Sequence, residues 1–178
     1  AKKALDKEWN KLLDRGCFKL ESMKPKAKVI QEALDQAKKA HIMDLMELSH
    51  IKNAEQPKEM QSWKGRMVCC GHKIKDQEGF YAAFNQMGTS ATSMSATKIL
   101  DAIARLPECS GQDADAIGAY TQMPLSDTAR LLGVNVIPET WVIIPKHRRP
   151  KHRGDVVDPC VRLERNLYGH PLAGLLWD

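Results

Sequence analysis

The amino-acid sequence predicts an α+β fold, in which helices pack on an antiparallel sheet. Two kinds of periodicity support this prediction, because apolar residues recur at helical spacing in some segments and alternate or run together in shorter ones. The chain has 178 residues, of which 43% are hydrophobic, and this suffices for one domain or two small subdomains. Only 6% of the residues are aromatic, so the core must consist mainly of Leu, Ile, Ala and Met.

Three segments are predicted to be helices, and they lie at residues 3–14, 26–40 and 95–106. In the first, Leu5, Trp9 and Leu12 recur at helical spacing with charged residues between them. The third has Ser95 as a possible cap and ends at Pro107, which cannot continue a helix.

Shorter apolar segments are predicted to be strands, and they lie at residues 64–70, 113–120, 141–144 and 158–163. Residues 41–51 fit a strand or a helix equally well. Residues 80–84 are expected to pair with 64–70 in a hairpin that carries the basic side chains Lys64 and Arg66.

The stretch at residues 111–122 contains two acids, Asp113 and Asp115, among Ala and Gly residues. Side chains two apart on a strand point to the same face, so a strand here would project both carboxylates together. Tyr120 follows five residues after Asp115. The pattern fits a metal-binding carboxylate beside an aromatic wall, and it also fits an Asp that caps or turns the chain.

The net charge of +5 favours an anionic partner. The most basic segment of the chain is the loop at residues 145–154. That loop carries five cationic side chains: Lys146, Arg148, Arg149, Lys151 and Arg153. Such a run is either a solvated surface or a set of phosphate contacts that would make nucleic-acid binding depend on salt.

Five cysteines occur without a Cys-x-x-Cys spacing, and two of them, Cys69 and Cys70, are adjacent. This pattern predicts neither a disulfide framework nor a zinc site, and it favours a reducing, intracellular compartment, without indicating an organelle. No apolar run reaches the ~20 residues of a membrane-spanning helix.

Four segments, taken in order, resemble the reverse transcriptase of copia-type retrotransposons. Lys64-Gly-Arg66-Met-Val resembles the Lys-Ala-Arg-Leu-Val strand of that family's fingers, and Asp115-Ala-Ile-Gly-Ala-Tyr120 resembles its Asp-Val-Lys-Thr-Ala-Phe motif. Trp141-Val-Ile-Ile-Pro145 resembles a strand that leads into a proline-containing turn, and Leu167-Tyr-Gly169 resembles the Leu-Tyr-Gly-Leu-Lys-Gln-Ala-Pro block. Glu8-Trp9 resembles the family's opening helix. The amino-acid sequences of several of these motifs are similar to those of copia-like retrotransposons of dinoflagellates.

The resemblance implies roles for several residues. Asp115 would be the first catalytic, metal-binding aspartate, with Mg²⁺ as the metal, whereas Asp113 has no counterpart in the family. Tyr120 would lie under the sugar of the incoming nucleotide and favour deoxynucleotides. Arg66, with Lys64, would bind the triphosphate.

In the same family, the glycine that corresponds to Gly169 allows close approach of the backbone to the template base pair. On this basis the chain divides into a helical segment at 1–60, a fingers-like hairpin and helix at 61–107, and a partial palm-like region at 108–178. His170-Pro-Leu172 departs from the family's Leu-Lys-Gln.

Two function classes are left open. The family's Tyr-Val-Asp-Asp hairpin does not occur in these 178 residues, so a fragment of an RNA-directed DNA polymerase is expected to be inactive on its own. The alternative is a non-catalytic descendant that serves as a structural or binding subunit of a larger assembly. RNA or DNA is the expected partner in the first case, and a protein that covers the incomplete palm in the second.

Overall fold

A computed structural model of the chain describes residues 1–84, 93–112, 114–134, 137–151 and 156–175, with Leu131 described in its backbone alone. The helices are α1 (Lys2–Asp14), α2 (Lys26–Asp35), α3 (Met94–Ala104) and α4 (Asp127–Leu132). The strands are β1 (Lys24–Pro25), β2 (Ala40–Lys52), β3 (Ser62–Cys69), β4 (Glu139–Ile143) and β5 (Pro159–Arg162). The predicted α+β class is confirmed.

The sheet has five strands in the order β1-β5-β4-β2-β3. Its β1–β5, β4–β5 and β2–β3 pairs are antiparallel, but β2 and β4 are parallel. The sheet is therefore mixed rather than purely antiparallel as predicted. The physical reason is that β4 follows β2 through a long connection containing α3 and α4, and such a crossover can return the chain in the same direction.

Strand β2 joins the two parts of this sheet, and it settles the ambiguity of residues 41–51. Residues 40–44 pair with β4, whereas residues 45–52 pair with β3. The predicted hairpin between 64–70 and 80–84 is wrong, because β3 pairs with β2. Tyr81 instead pairs with Lys75 in a local turn, where the Asp76 carboxylate accepts hydrogen bonds from two backbone N–H groups.

The predicted helices at 3–14 and 95–106 correspond to α1 and α3. The helix predicted at 26–40 is too long, because α2 ends at Asp35. Ala37 then takes a positive φ of 50°, and the N–H of Lys38 donates to the carbonyl of Ala33, which turns the chain toward β2.

The strand predicted at 113–120 is wrong. Residues 114–116 have no regular structure, Gly118 has a left-handed backbone with φ of 65°, and Ala119–Gln122 form a 3-10 helix. The N–H of Thr121 donates to the carbonyl of Gly118 and closes the turn. Ala and Gly have low strand propensity and bring little apolar surface to a sheet, so these residues do not sustain a strand. Asp113 lies outside the described residues.

Two apolar clusters lie on opposite faces of the sheet, as the alternation of side chains along its strands requires. The larger one contains Trp9, Phe18, Met43, Val142 and Leu167 and is covered by α1 and by the segments around α4 and after β5. The smaller one packs α2 against the other face, through Val29, Ala33, Ile42, Trp141 and Cys160. The five cysteines are free thiols.

No helix in the described ranges is long and apolar enough to span a membrane.

Helix α1 approaches β3 at Gly65. A Cβ atom at this glycine would lie 2.6 Å from the carbonyl oxygen of Ala4 and 2.8 Å from the Cα of Leu5. Both atoms belong to backbone, so no side-chain movement could relieve the contact. The absence of a side chain at Gly65 therefore sets the distance between α1 and the sheet.

We expect Gly65→Ala to lower the free energy of unfolding by about 1–3 kcal/mol, because the added methyl forces α1 away from β3. Chemical denaturation of the two proteins checks this. Ser62→Ala, at an exposed position of the same strand, is the matched control and should unfold close to the parent. Equal stability of all three proteins would show that α1 can shift at no cost.

His170 is a buried imidazole in the segment after β5, and burial lowers its pKa to about 4 from its ordinary value of 6.5, with a further lowering by His41. The unfolded chain binds a proton at this residue below about pH 6.5, while the folded chain does so only near pH 4. Stability that is present above pH 6.5 is therefore lost as the pH falls toward 4.

We expect the free energy of unfolding to fall by about 2–3 kcal/mol through this residue between pH 7 and pH 4. Urea denaturation across this range checks it. His170→Gln should remove most of the dependence, with a smaller part retained because burial also lowers the pKa of His41. His50→Gln, at an exposed position, should keep the full dependence, and an unchanged slope in His170→Gln would contradict the assignment.

Candidate functional site

Three side chains from separate parts of the chain meet at one place. The guanidinium carbon of Arg66 lies 5.3 Å from the ring centroid of Tyr168. The ring of Tyr120 lies 5.0 Å from that of Tyr168, with an angle of 67° between the rings. All three residues are half-buried. We call this group the Arg66–Tyr168–Tyr120 cluster.

The position of Tyr168 depends on a close backbone contact with the end of β3. The N–H of Cys69 donates to the carbonyl of Tyr168 at 2.7 Å. Gly169 has φ of 81°, and a Cβ atom on it would collide with the carbonyl oxygen of Cys69. A Cβ atom on Gly71 would likewise collide with the carbonyl oxygen of Gly169. The close approach that requires Gly169 is thus made to β3 of the same chain.

The position of Tyr120 depends on Arg15, which follows α1. Its guanidinium donates to the carbonyl oxygens of Gly118 at 3.2 Å and of Ile117 at 3.1 Å, and also to the hydroxyl of Thr121. A side chain at Gly118 would collide with the Arg15 guanidinium. One arginine therefore holds the turn that presents Tyr120.

The cluster offers a cation on an aromatic face. Among the described residues, no carboxylate lies within ion-pair distance of Arg66, so its N–H groups are not committed to an internal anion. A planar guanidinium with free donors suits phosphate oxygens, and the two phenol rings suit a flat or apolar part of the same ligand. Lys64, two residues before Arg66 on β3, is exposed and points to the same face.

Asp115 is exposed and lies five residues before Tyr120, in a part of the chain without regular structure. Within the described ranges, no group of three or more His, Cys, Asp or Glu side chains could hold a metal ion. The described residues therefore do not fit the two-ion magnesium centre that the resemblance implies, because Asp115 brings a single carboxylate and Asp113 is not described.

The basic loop does not present all its charges to solvent. Arg148 retains only 11% of its side-chain exposure, because its guanidinium pairs with Asp6 and, at 2.6 Å, with Glu47. It also lies 5.6 Å from the ring centroid of Trp9. Arg148 thus ties the loop to α1 and β2.

The other cations of this loop differ in their surroundings. Lys146 and Lys151 are exposed, while Arg149 is half-buried and donates to the carbonyl of Ile144 at 3.1 Å. Arg153 is outside the described residues. The charge available for a phosphate backbone is therefore smaller than the sequence suggests.

Two residues of the site were not identified from the sequence. Tyr168 stands inside the Leu-Tyr-Gly motif, so the motif itself was a signal that its side chain belongs to the site. Arg15 had no such signal, because its acceptors lie more than 100 residues away along the chain.

We expect Arg15→Ala to release the turn that carries Tyr120 and to lower the free energy of unfolding by about 1–3 kcal/mol, since three acceptors lose a charged donor. Nuclear Overhauser contacts between the Tyr120 and Tyr168 rings would measure the release directly.

Arg15→Lys should lose most of these contacts as well, because one ammonium group cannot reach three acceptors that a planar fork reaches. Arg130→Ala is the matched control, since Arg130 is 79% exposed and lies 4.0 Å from its carboxylate partner Asp127. Unchanged ring contacts in Arg15→Ala would show that the turn is held by other means.

Comparisons with protein-family models, with curated proteins and with solved structures found no match to this chain.

Proposed function

We propose that this chain is part of an RNA-directed DNA polymerase similar to those of copia-type retrotransposons, and that the Arg66–Tyr168–Tyr120 cluster binds the incoming deoxynucleoside triphosphate. The observation that carries the proposal is the cluster itself. Its three residues come from three of the motifs on which the resemblance depends, and these motifs are far apart in the sequence. Their meeting at one place supports a shared ligand.

Each member of the cluster has a distinct task in this proposal. Arg66, assisted by Lys64, forks onto the triphosphate oxygens, because guanidinium–phosphate pairs are charge-assisted and directional. The ring of Tyr120 packs under the sugar and leaves no room for a 2′-hydroxyl. Tyr168 holds Arg66 and Tyr120 at a fixed distance from each other.

Nucleotidyl transfer requires metal ions clamped by several carboxylates, and Mg²⁺ would supply activation of the primer hydroxyl and neutralisation of the leaving phosphates. In this chain Asp115 would contribute one ligand. A single exposed carboxylate does not make joint binding of two repelling divalent ions favourable. We therefore propose that these 178 residues bind nucleotide but do not incorporate it.

The template or primer would contact the remaining free cations of the basic loop. Lys146 and Lys151 are exposed and Arg149 is half-buried, whereas Arg148 is already paired with two carboxylates. Arg153 belongs to this proposal on sequence grounds alone.

A second candidate function is a non-catalytic descendant that serves as a structural or binding subunit. The observation that favours it is the apolar surface of α3 and of the bend that follows it. Its residues Ile99, Leu100, Ile103 and Leu106 are between 48% and 64% exposed. An apolar helix face of this kind is typical of a surface that a protein partner covers.

We expect the purified chain to bind a deoxynucleoside triphosphate in the presence of Mg²⁺, and Arg66→Gln to weaken binding by about 10-fold or more, because a charged hydrogen-bond donor to phosphate is lost. Titration calorimetry measures both affinities. Arg105→Gln is the matched control and should bind like the parent. It removes a guanidinium that directly follows α3 and is 78% exposed. Tyr120→Ala should narrow the preference for deoxynucleotides over ribonucleotides.

The same proteins, assayed with a primed RNA template, should incorporate no more nucleotide than Asp115→Ala. Incorporation above that level would show that the catalytic centre is complete within these residues. Two results would contradict the polymerase hypothesis: equal nucleotide affinity of Arg66→Gln and Arg105→Gln, or no nucleotide binding by any of the proteins. Either result would favour the hypothesis of a non-catalytic subunit.

A further inference from the structure

Helix α3 lies outside both apolar clusters of the fold. Among the described residues, neither cluster includes a side chain of α3, and none of the helix's own residues is buried. Its local support is limited to the Ser93 hydroxyl, which accepts a hydrogen bond from the N–H of Ala96, and to an exposed ion pair between Asp101 and Arg105. Helices of fewer than about 12–15 residues are marginal in water without tertiary packing. An 11-residue helix in this position therefore needs a surface to pack against.

The apolar residues of α3 and of the bend that follows it have a heptad spacing. Ala96, Ile99, Ile103 and Leu106 are separated by three, four and three residues, which places them along one side of the helix. Leu106 lies just after α3, where its N–H still donates to the carbonyl of Ile103 at 3.0 Å. We call these four residues the heptad line. Such a line is the pattern by which two helices pack side by side.

The charged residues of this segment lie away from the heptad line. At about 3.6 residues per turn, Lys98, Asp101 and Arg105 fall on the opposite side of the helix. All three residues are exposed, and Asp101 pairs with Arg105 at 3.1 Å. The heptad line therefore offers no charge that would select an oppositely charged partner, and none that would repel an identical helix.

Two copies of the heptad line complement each other in an antiparallel arrangement. A two-fold axis through the middle of the line places Ile99 of each copy against Ile103 of the other. The same axis places the short side chain of Ala96 against the long one of Leu106. Leu100, which lies beside the line, then meets Leu100 of the second copy. Antiparallel helices also align their macrodipoles favourably.

We propose that the protein associates with a second copy of itself through an antiparallel pair of α3 helices. The pair covers apolar side chains that are otherwise about half exposed to water. Because two 11-residue helices form a contact smaller than a standard stable interface, the association is weak and depends on protein concentration. The inference supplies a partner for the apolar surface of the second candidate function. It is independent of the Arg66–Tyr168–Tyr120 cluster, because no member of that cluster lies in α3.

Sedimentation velocity of the whole chain over a concentration series tests the proposal. We expect a reversible monomer–dimer equilibrium. Ile99→Glu and Ile103→Lys should each raise the dissociation constant of the dimer by about 10-fold or more, because each places two charges in an apolar contact. Both variants should fold like the parent, since neither side chain belongs to the apolar clusters. Lys98→Glu and Thr97→Lys put the same side chains at exposed positions off the heptad line, and these matched controls should dimerise like the parent.

Mixtures of variants test the register of the pair. An equimolar mixture of Ile99→Glu and Ile103→Lys places one Glu against one Lys and retains one contact between Ile99 and Ile103. It should therefore associate about 10-fold more tightly than either variant alone. A mixture of Leu106→Glu with Ile103→Lys should show no such gain, because the register places the two new charges about two helical turns apart.

Three results would overturn the proposal. They are a parent that stays monomeric throughout the series, a dimer that Ile103→Lys and Thr97→Lys weaken equally, and no gain in affinity when Ile99→Glu and Ile103→Lys are mixed. A monomeric parent would exclude the helix pair without changing the nucleotide affinities that decide between the two candidate functions, so the two failures are distinguishable.

Discussion

The contact between the segment after β5 and the end of β3 is the constraint on which the site depends. The backbone N–H of Cys69 donates to the backbone carbonyl of Tyr168, and the glycines at 71 and 169 let these two segments approach within a distance that side chains would forbid. Because Arg66 lies three residues before Cys69, this contact places Tyr168 beside its guanidinium. The same segment continues into His170, which is buried.

Periodicity predicted the elements whose stability comes from local pattern. Helices α1 and α3 have apolar residues at helical spacing, and their bounds agree with the predictions within a few residues. Periodicity failed at residues 113–120, where small side chains have no pattern strong enough to specify a strand. There the backbone conformation is set by Gly118 and by the hydrogen bonds of Arg15, an interaction between distant parts of the chain.

The candidate site was only partly predictable for the same reason. Arg66 and Tyr120 could be selected from their motifs, and the structure brings them to a common neighbour, Tyr168. Charge alone was a poor guide in the basic loop, because the sequence does not show that Asp6 and Glu47 neutralise Arg148. A cationic residue is available to a ligand only where folding has not already supplied it with carboxylates, and that information lies in tertiary contacts.

The parallel pairing of β2 with β4 leaves one edge of β2 unpaired during part of the synthesis of the chain. During synthesis β3 is complete at Cys69, whereas β4 begins only at Glu139, 70 residues later. At ribosomal rates of roughly 5–20 residues per second, that interval lasts about 4–14 s. For this time residues 40–44 of β2 have no strand to pair with on the side that β4 later occupies. A nascent chain with this topology thus exposes unpaired backbone N–H and C=O groups, which can pair with another chain, for several seconds. Chaperones would have their main opportunity to act in this period.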